Sequence, residues 1–273
     1  MSYANALPWT LENLAFDRIE TERIRPHEEL FFLLASASFV ESGSDLYTHN
    51  LIDHFAGDAE LQGWLSGHWE QEELQHGRAL AAYVRHAWPE FDWDSGFRAF
   101  WNEYGAVCTA AELEESRGLE LAARCVVETG TASLYRALND IAEEPVLKAL
   151  TDQLRRDEVR HYKHFYHHFI RYREREAIGR HRVFRAVLKR VLEIRDEDSD
   201  IALRHVFAAR YPDRAGDADE CRRVSARARD LLRRHIPADM TVKMLLKPLD
   251  LPAGLLRVLE TPLAWTTEKL FLH

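Results

Sequence analysis

Glycine and proline are scarce in this chain, at 12 and 9 of 273 residues, so little in it forces a turn and long helices are expected. Cysteine is scarcer still: Cys108, Cys125 and Cys221 lie far apart, form no Cys-x-x-Cys pair and are odd in number. That excludes a four-thiolate iron site and a disulfide framework, and it reads as reduced thiols in a cytoplasmic protein. No run reaches 18 apolar residues, so no membrane-spanning helix is expected. The opening MSYANALPWTLENLAFDRIE has neither a basic stretch nor an apolar core, so no signal peptide is expected either. Low-complexity segments, flexible linkers and, up to Gly179, strand-like alternation are all missing.

What remains is a globular composition, 46% hydrophobic and 30% charged, enough apolar material for a sizeable core. The net charge of −9 is uneven: residues 1–145 carry 9 Lys/Arg against 26 Asp/Glu, and residues 146–273 carry 27 against 19. Pro26 opens a first helix expected to run to about Phe55. Gly57-Asp58 breaks the chain, and Asp58 caps a second helix reaching about Trp88, ended by Pro89. PEFDWDSGFRAFWNEYG reads as a connection with a short helix. A third helix runs from Glu112 or Leu119 to Glu143, and Pro145 starts a fourth ending near Gly179. Short loops within pairs 1–2 and 3–4, and one long crossover between them, predict an all-α fold, a ferritin-like four-helix bundle with additional C-terminal helices. One domain over 1–273 is expected, with the bundle at 26–179 and an extension at 180–273 packed on it. The extension reads as a basic helix at 181–195, a polar DEDSD break, helices near 200–210 and 219–235, and an apolar tail broken by Pro248, Pro252 and Pro262.

The most informative feature is a duplication. Glu41-Ser-Gly-Ser-Asp-Leu-Tyr47 on helix 1 is followed on helix 2 by Glu72-Glu73-Leu-Gln-His76. Glu128-Thr-Gly-Thr-Ala-Ser-Leu-Tyr135 on helix 3 is followed on helix 4 by Asp157-Glu158-Val-Arg-His161. Positions i and i+3 share a helical face, so Glu73 with His76, and Glu158 with His161, can grip one ion together. One Glu from each of two helices plus Glu-x-x-His from each of the other two is the carboxylate-bridged di-iron arrangement. Carboxylate and imidazole suit iron or manganese, while thiolate-free ligation disfavours structural zinc. A lone Glu-x-x-His is weak among 27 Glu and 14 His. Here both copies follow an acid, and their partner glutamates interrupt the apolar runs LLASASFV and LAARCVV, where a carboxylate needs a cation or a dense hydrogen-bond network.

Smaller features fit the same site. Gly43 and Gly130 each stand two after the upstream Glu, at a helix-interior cost of about 1 kcal/mol, and predict a π-type distortion or a close helix–helix contact. Glu72 and Asp157 are read either as accepting the second N–H of a ligating histidine from the other half or as surface acids. Trp69, one turn before Glu73, is read either as an electron conduit or as core. His164 and His168 share the stripe of His161 but are read as core or surface histidines. The segment 171–195, with nine Arg/Lys and three Glu, reads as a docking face for an acidic carrier or as a solvated helix. It lacks interleaved stacking aromatics, so no nucleic-acid partner is expected. The tail Met240–Phe271 reads as packed on the bundle, with a homodimer contact, a lid or a membrane-surface anchor as the alternatives.

With those residues in hand, the chain resembles the soluble acyl-carrier-protein desaturases of the ferritin-like superfamily. Trp69-Glu-Gln-Glu-Glu73-Leu-Gln-His76-Gly77 is similar to that family's W-x-x-E-E-x-R-H-G helix, Asp157-Glu-Val-Arg-His161 to its D-E-K-R-H helix, and Glu128 with Thr131 to its E-x-x-T. The resemblance covers residues 30–170. It implies Glu41, Glu73, His76, Glu128, Glu158 and His161 as ligands of two irons, and Thr131 as the residue assisting oxygen activation and proton delivery. It also implies a redox donor such as a ferredoxin and an acyl-carrier protein as partner. Leu74-Gln75 and Ser42-Gly43-Ser44 depart from the family pattern. Hydroxylation, amine N-oxygenation of a small apolar substrate, iron storage and a metal-free helical scaffold are the alternatives.

Overall fold

The computed structural model describes residues 7–194, 198–252 and 254, and the protein is all-α: among those residues no strand occurs. The longer helices are α1 (Glu28–Ser42), α2 (Asp45–His54), α3 (Ala59–Trp64), α4 (Glu70–Ala87), α5 (Trp93–Val107), α6 (Arg117–Ile141), α7 (Pro145–Arg175), α8 (Arg180–Ile194), α9 (Asp198–Arg210), α10 (Ala218–Arg233) and α11 (Ala238–Leu246). The apolar tail beyond residue 254, with Pro262, lies outside the described residues.

Three departures from the expected elements have local causes. Helix 1 does not run through to Phe55: it closes at Gly43, whose N–H donates to Phe39 O at 3.1 Å and Val40 O at 3.0 Å, and a new helix starts at Asp45. The aromatic connection holds a full 15-residue helix, α5, capped by Asp92 accepting the Ser95 N–H at 3.0 Å. Between α3 and α4 lies a π-helical turn, Leu65–Trp69. One extra residue in a turn rotates everything after it by about 100° relative to an unbroken α-helix. The wide turn therefore stands immediately before the Glu73/His76 pair, and not at Gly43 or Gly130. Asp58 caps α3 as expected, accepting the Leu61 N–H at 3.1 Å.

The described residues divide into two compact units, one drawn from residues 7–112, 142–150 and 198–229, the other from 113–141, 151–194, 230–252 and 254. In the first, α1 packs along α4, and α9 packs on α1 and α5. The buried rings of Phe31, Phe32, Phe39, Phe55, Trp88, Phe100 and Phe207 fill it, each contributing about 1.5–3 kcal/mol by leaving water. Phe39 meets Trp93 and Phe100 at 5.5 and 5.6 Å between centroids, and the Trp93 indole N–H donates to the buried Ser38 hydroxyl at 2.8 Å. The start of α7 belongs here: Glu144 accepts the N–H groups of Val146 and Leu147, at 3.1 and 2.7 Å, and the Tyr83 hydroxyl at 2.9 Å. A carboxylate accepting the N–H groups of the first helical turn, at Pro145, is why the helix begins there.

In the second unit α6 packs on α8 and α11. Ser116 caps α6 by accepting the Leu119 N–H at 3.2 Å, and Glu176 in turn accepts the Ser116 hydroxyl at 2.5 Å. The buried Glu120 accepts Arg124 Nε and the Glu114 N–H, at 2.8 and 2.9 Å, and lies 3.7 Å from Arg190 of α8. This network fixes α8 against α6. Asn139 donates to Thr151 at 3.0 Å, tying α6 to the part of α7 in the same unit.

Candidate metal centre

Each unit carries one copy of the predicted donor set. In the first, Glu41 stands in the last turn of α1 and Glu73 and His76 on α4; each offers a ligand atom within 4.8 Å of the other two. All three are buried, at 6, 5 and 0% exposure. His76 turns Nδ1 toward Glu73, 3.9 Å from Oε2. The crossing of α1 and α4 is set at this level by Gly77: a Cβ there would lie 2.6 Å from Ser42 N and 2.7 Å from Ser42 Cα. Only glycine lets the residue after His76 reach the backbone of the residue after Glu41.

In the second unit Glu128 lies on α6 and Glu158 and His161 on α7, again with ligand atoms within 4.8 Å of one another and again buried. His161 uses the same atom as His76, its Nδ1 lying 3.5 Å from Glu128 Oε2 and 3.8 Å from Glu158 Oε2. Thr131, half-buried one turn after Glu128, donates its hydroxyl to Glu158 Oε2 at 2.7 Å. Thr131 Oγ1 is also 3.3 Å from the carbonyls of Val127 and Glu128, so the hydroxyl proton is held between the Glu158 carboxylate and the helix backbone.

Burial dominates the electrostatics. It pushes the Glu128 carboxyl up to about 8; the charge of Glu158 adds to this, while the hydrogen bond and charge of His161 pull the other way. Burial, with the Glu128 charge behind it, raises the Cys125 thiol well above its ordinary value, so Cys125 is an inert thiol. Two carboxylates and an imidazole within reach of one point are the donors that a divalent ion of the iron or manganese type takes, and its charge would offset the cost of burying them. The donor set fits the metal in both units.

No family model, curated protein or solved structure matches the chain. The resemblance to desaturases therefore rests on the motifs themselves.

The residues around the triads are placed as follows. Glu72 and Asp157 are buried, and Asp157 pairs with Arg160 at 2.6 Å. Trp69 is buried at the end of the π-helical turn, its ring 6.1 Å from that of Tyr47. His168 is buried and its Nε2 lies 3.0 Å from Nε2 of His164, so the two form a pair of their own. Gly130 is exposed, and nothing lies within 4 Å of where its Cβ would be, so no helix–helix contact explains it.

Sequence reasoning missed Trp9. Its indole lies parallel to the His76 ring, 7° between planes and 6.3 Å between centroids, and its carbonyl accepts Gln75 Nε2 at 3.0 Å. Gln75, a departure from the desaturase motif, thus holds Trp9 beside His76. Trp9 is 67 residues from His76 in an aperiodic segment, and no local signal points to it.

Proposed function

We propose that this chain binds two iron ions, one in each triad, and uses them to activate dioxygen for the oxidation of an apolar substrate, foremost the desaturation of an acyl chain held on an acidic carrier protein. One observation carries the reading: the same buried donor set, two carboxylates and an imidazole presenting Nδ1, occurs once in each unit. Glu41, Glu73 and His76 hold one ion, Glu128, Glu158 and His161 the other. Four carboxylates neutralise two divalent ions, and manganese can replace an iron in the same donor set. Bound iron supplies the electrons and Lewis acidity by which dioxygen removes hydrogen from an unactivated carbon. In desaturation the substrate C–H pair yields two electrons and a ferredoxin-type donor two more, and dioxygen leaves as two waters.

The chain's own residues supply the rest. The Thr131 hydroxyl orients Glu158 and keeps a transferable proton on the ligand face. Trp9 keeps water from one face of His76, and Trp69 with Tyr47 offers an aromatic step for electrons. Glu72 and Asp157 steady the two imidazoles. On α8, Arg182 and Arg185 flank an exposed stripe of Phe184, Leu188 and Leu192, an apolar strip with a basic border suited to an acidic carrier.

The test is metal analysis and Mössbauer spectroscopy after anaerobic Fe(II) loading and air, followed by mass spectrometry of a carrier-bound acyl chain. Two irons per chain and the loss of two hydrogens support the whole reading. A gain of one oxygen gives hydroxylation or N-oxygenation instead. Iron taken up without substrate oxidation would leave a storage protein, and no iron a helical scaffold.

A further inference from the structure

We infer that His164 and His168 form a separate binding site for a divalent cation on α7, a two-imidazole clamp distinct from the triads. Residues four apart on a helix share a face, and here the two Nε2 atoms approach to 3.0 Å, with ring centroids 4.7 Å apart and planes tilted by 42°. Two imidazole nitrogens bound to one ion at about 2.0–2.1 Å and separated by this distance subtend about 90–100° at it. That is the angle between neighbouring ligands in a tetragonal or octahedral ion. A tetrahedral ion would need the nitrogens about 3.3 Å apart. The spacing suits ions of the nickel or copper type, and imidazole suits such ions better than it suits magnesium or calcium. With no ion bound, one Nε2 must carry a proton and the other accept it; a cation replaces that shared proton and uses both lone pairs.

The surroundings allow it. His168 is fully buried and fixed by its packing, whereas His164 is half-buried, which leaves one side of the ion to water. Arg160, one turn before His164 on α7, is engaged by Asp157 at 2.6 Å. The pair stands three and seven residues beyond His161, about 4.5 and 10.5 Å along the helix axis, so its ion is a different one from that of the triad.

The proposal does not depend on the triads holding iron, and the test separates the two. Ni(II) bound per full-length chain is measured by equilibrium dialysis for the wild type, His164→Asn and Glu128→Ala, and crystals of the wild type in Ni(II) are examined for anomalous scattering. His164→Asn is expected to bind one Ni(II) fewer than wild type, Glu128→Ala to keep that ion, and the anomalous map to show a peak within bonding distance of both Nε2 atoms. Equal Ni(II) in wild type and His164→Asn overturns the clamp, as does a map without a peak there. The triads fail separately if Glu128→Ala binds as much metal as wild type. The anomalous map needs no variant, so misfolding of one cannot hide the answer.

Discussion

Glu128→Gln removes a charge while keeping the side chain's shape, and the structure says how the metal-free protein should respond. Burial raises the Glu128 carboxyl from its ordinary 4.5 to about 8. A folded-state value above the unfolded one means that between pH 4.5 and 8 the folded chain binds the extra proton. Stability then falls as pH rises through that window and stays low above it. At about 1.4 kcal/mol per pH unit, the carboxylate costs the metal-free fold on the order of 3 kcal/mol at pH 7 and 5 kcal/mol above pH 8. Glutamine has no proton to lose. Urea unfolding of chelator-treated protein should give nearly equal stabilities for the two chains at pH 5 and a gap in favour of Glu128→Gln that widens to pH 8. With Fe(II) present at pH 7 the order should reverse, because only the wild type gains the binding free energy of a full triad, about 4 kcal/mol at a thousandfold excess over Kd. Parallel stability–pH curves for the two metal-free proteins would refute the argument, since they would mean that Glu128 is solvated or already compensated.

Thr131→Val should keep two metals per chain but slow turnover or raise oxygen consumed per product, because Glu158 loses a 2.7 Å hydrogen bond; unchanged coupling would make Thr131 a packing residue. Gly77→Ala should cost about 1–3 kcal/mol and lower metal occupancy, as its Cβ must displace the Ser42 backbone; thermal unfolding and metal analysis read both. Gly130→Ala, with open space around the new methyl, should instead stabilise the chain by about 1 kcal/mol and leave the metal content alone. Arg182→Glu with Arg185→Glu should raise KM for a carrier-bound acyl substrate, in a manner that weakens with added salt, while iron content stays fixed; a KM indifferent to both changes would favour a free small molecule. Lys189 is unsuited to that test, since its ion pair with Glu114 at 2.9 Å helps fix α8.

How much was legible follows from what each feature depends on. The all-α class rests on periodicity and on the scarcity of Gly and Pro, both local properties. The candidate donor residues stood out because a carboxylate inside LLASASFV or LAARCVV violates the solvation rule that governs its neighbours, and because the violation occurs twice with matching spacing. The π-helical turn did not declare itself, since Leu65–Trp69 has ordinary helix composition and the wide turn is only one residue more than an α-turn. Gly43 was correctly singled out, but as a distortion within one helix and not as the end of it.

By itself, then, the sequence carried the helical class and pointed to a twofold set of candidate donors, because secondary structure and motif spacing are carried by residues near one another along the chain. Only the tertiary structure decided that both histidines present Nδ1, that Thr131 reaches Glu158 across 27 positions, that Trp9 covers His76, and that His164 and His168 converge on a common point. Rotamers and long-range approaches follow from packing density, and packing is a property of the assembled helices that no local window of sequence contains.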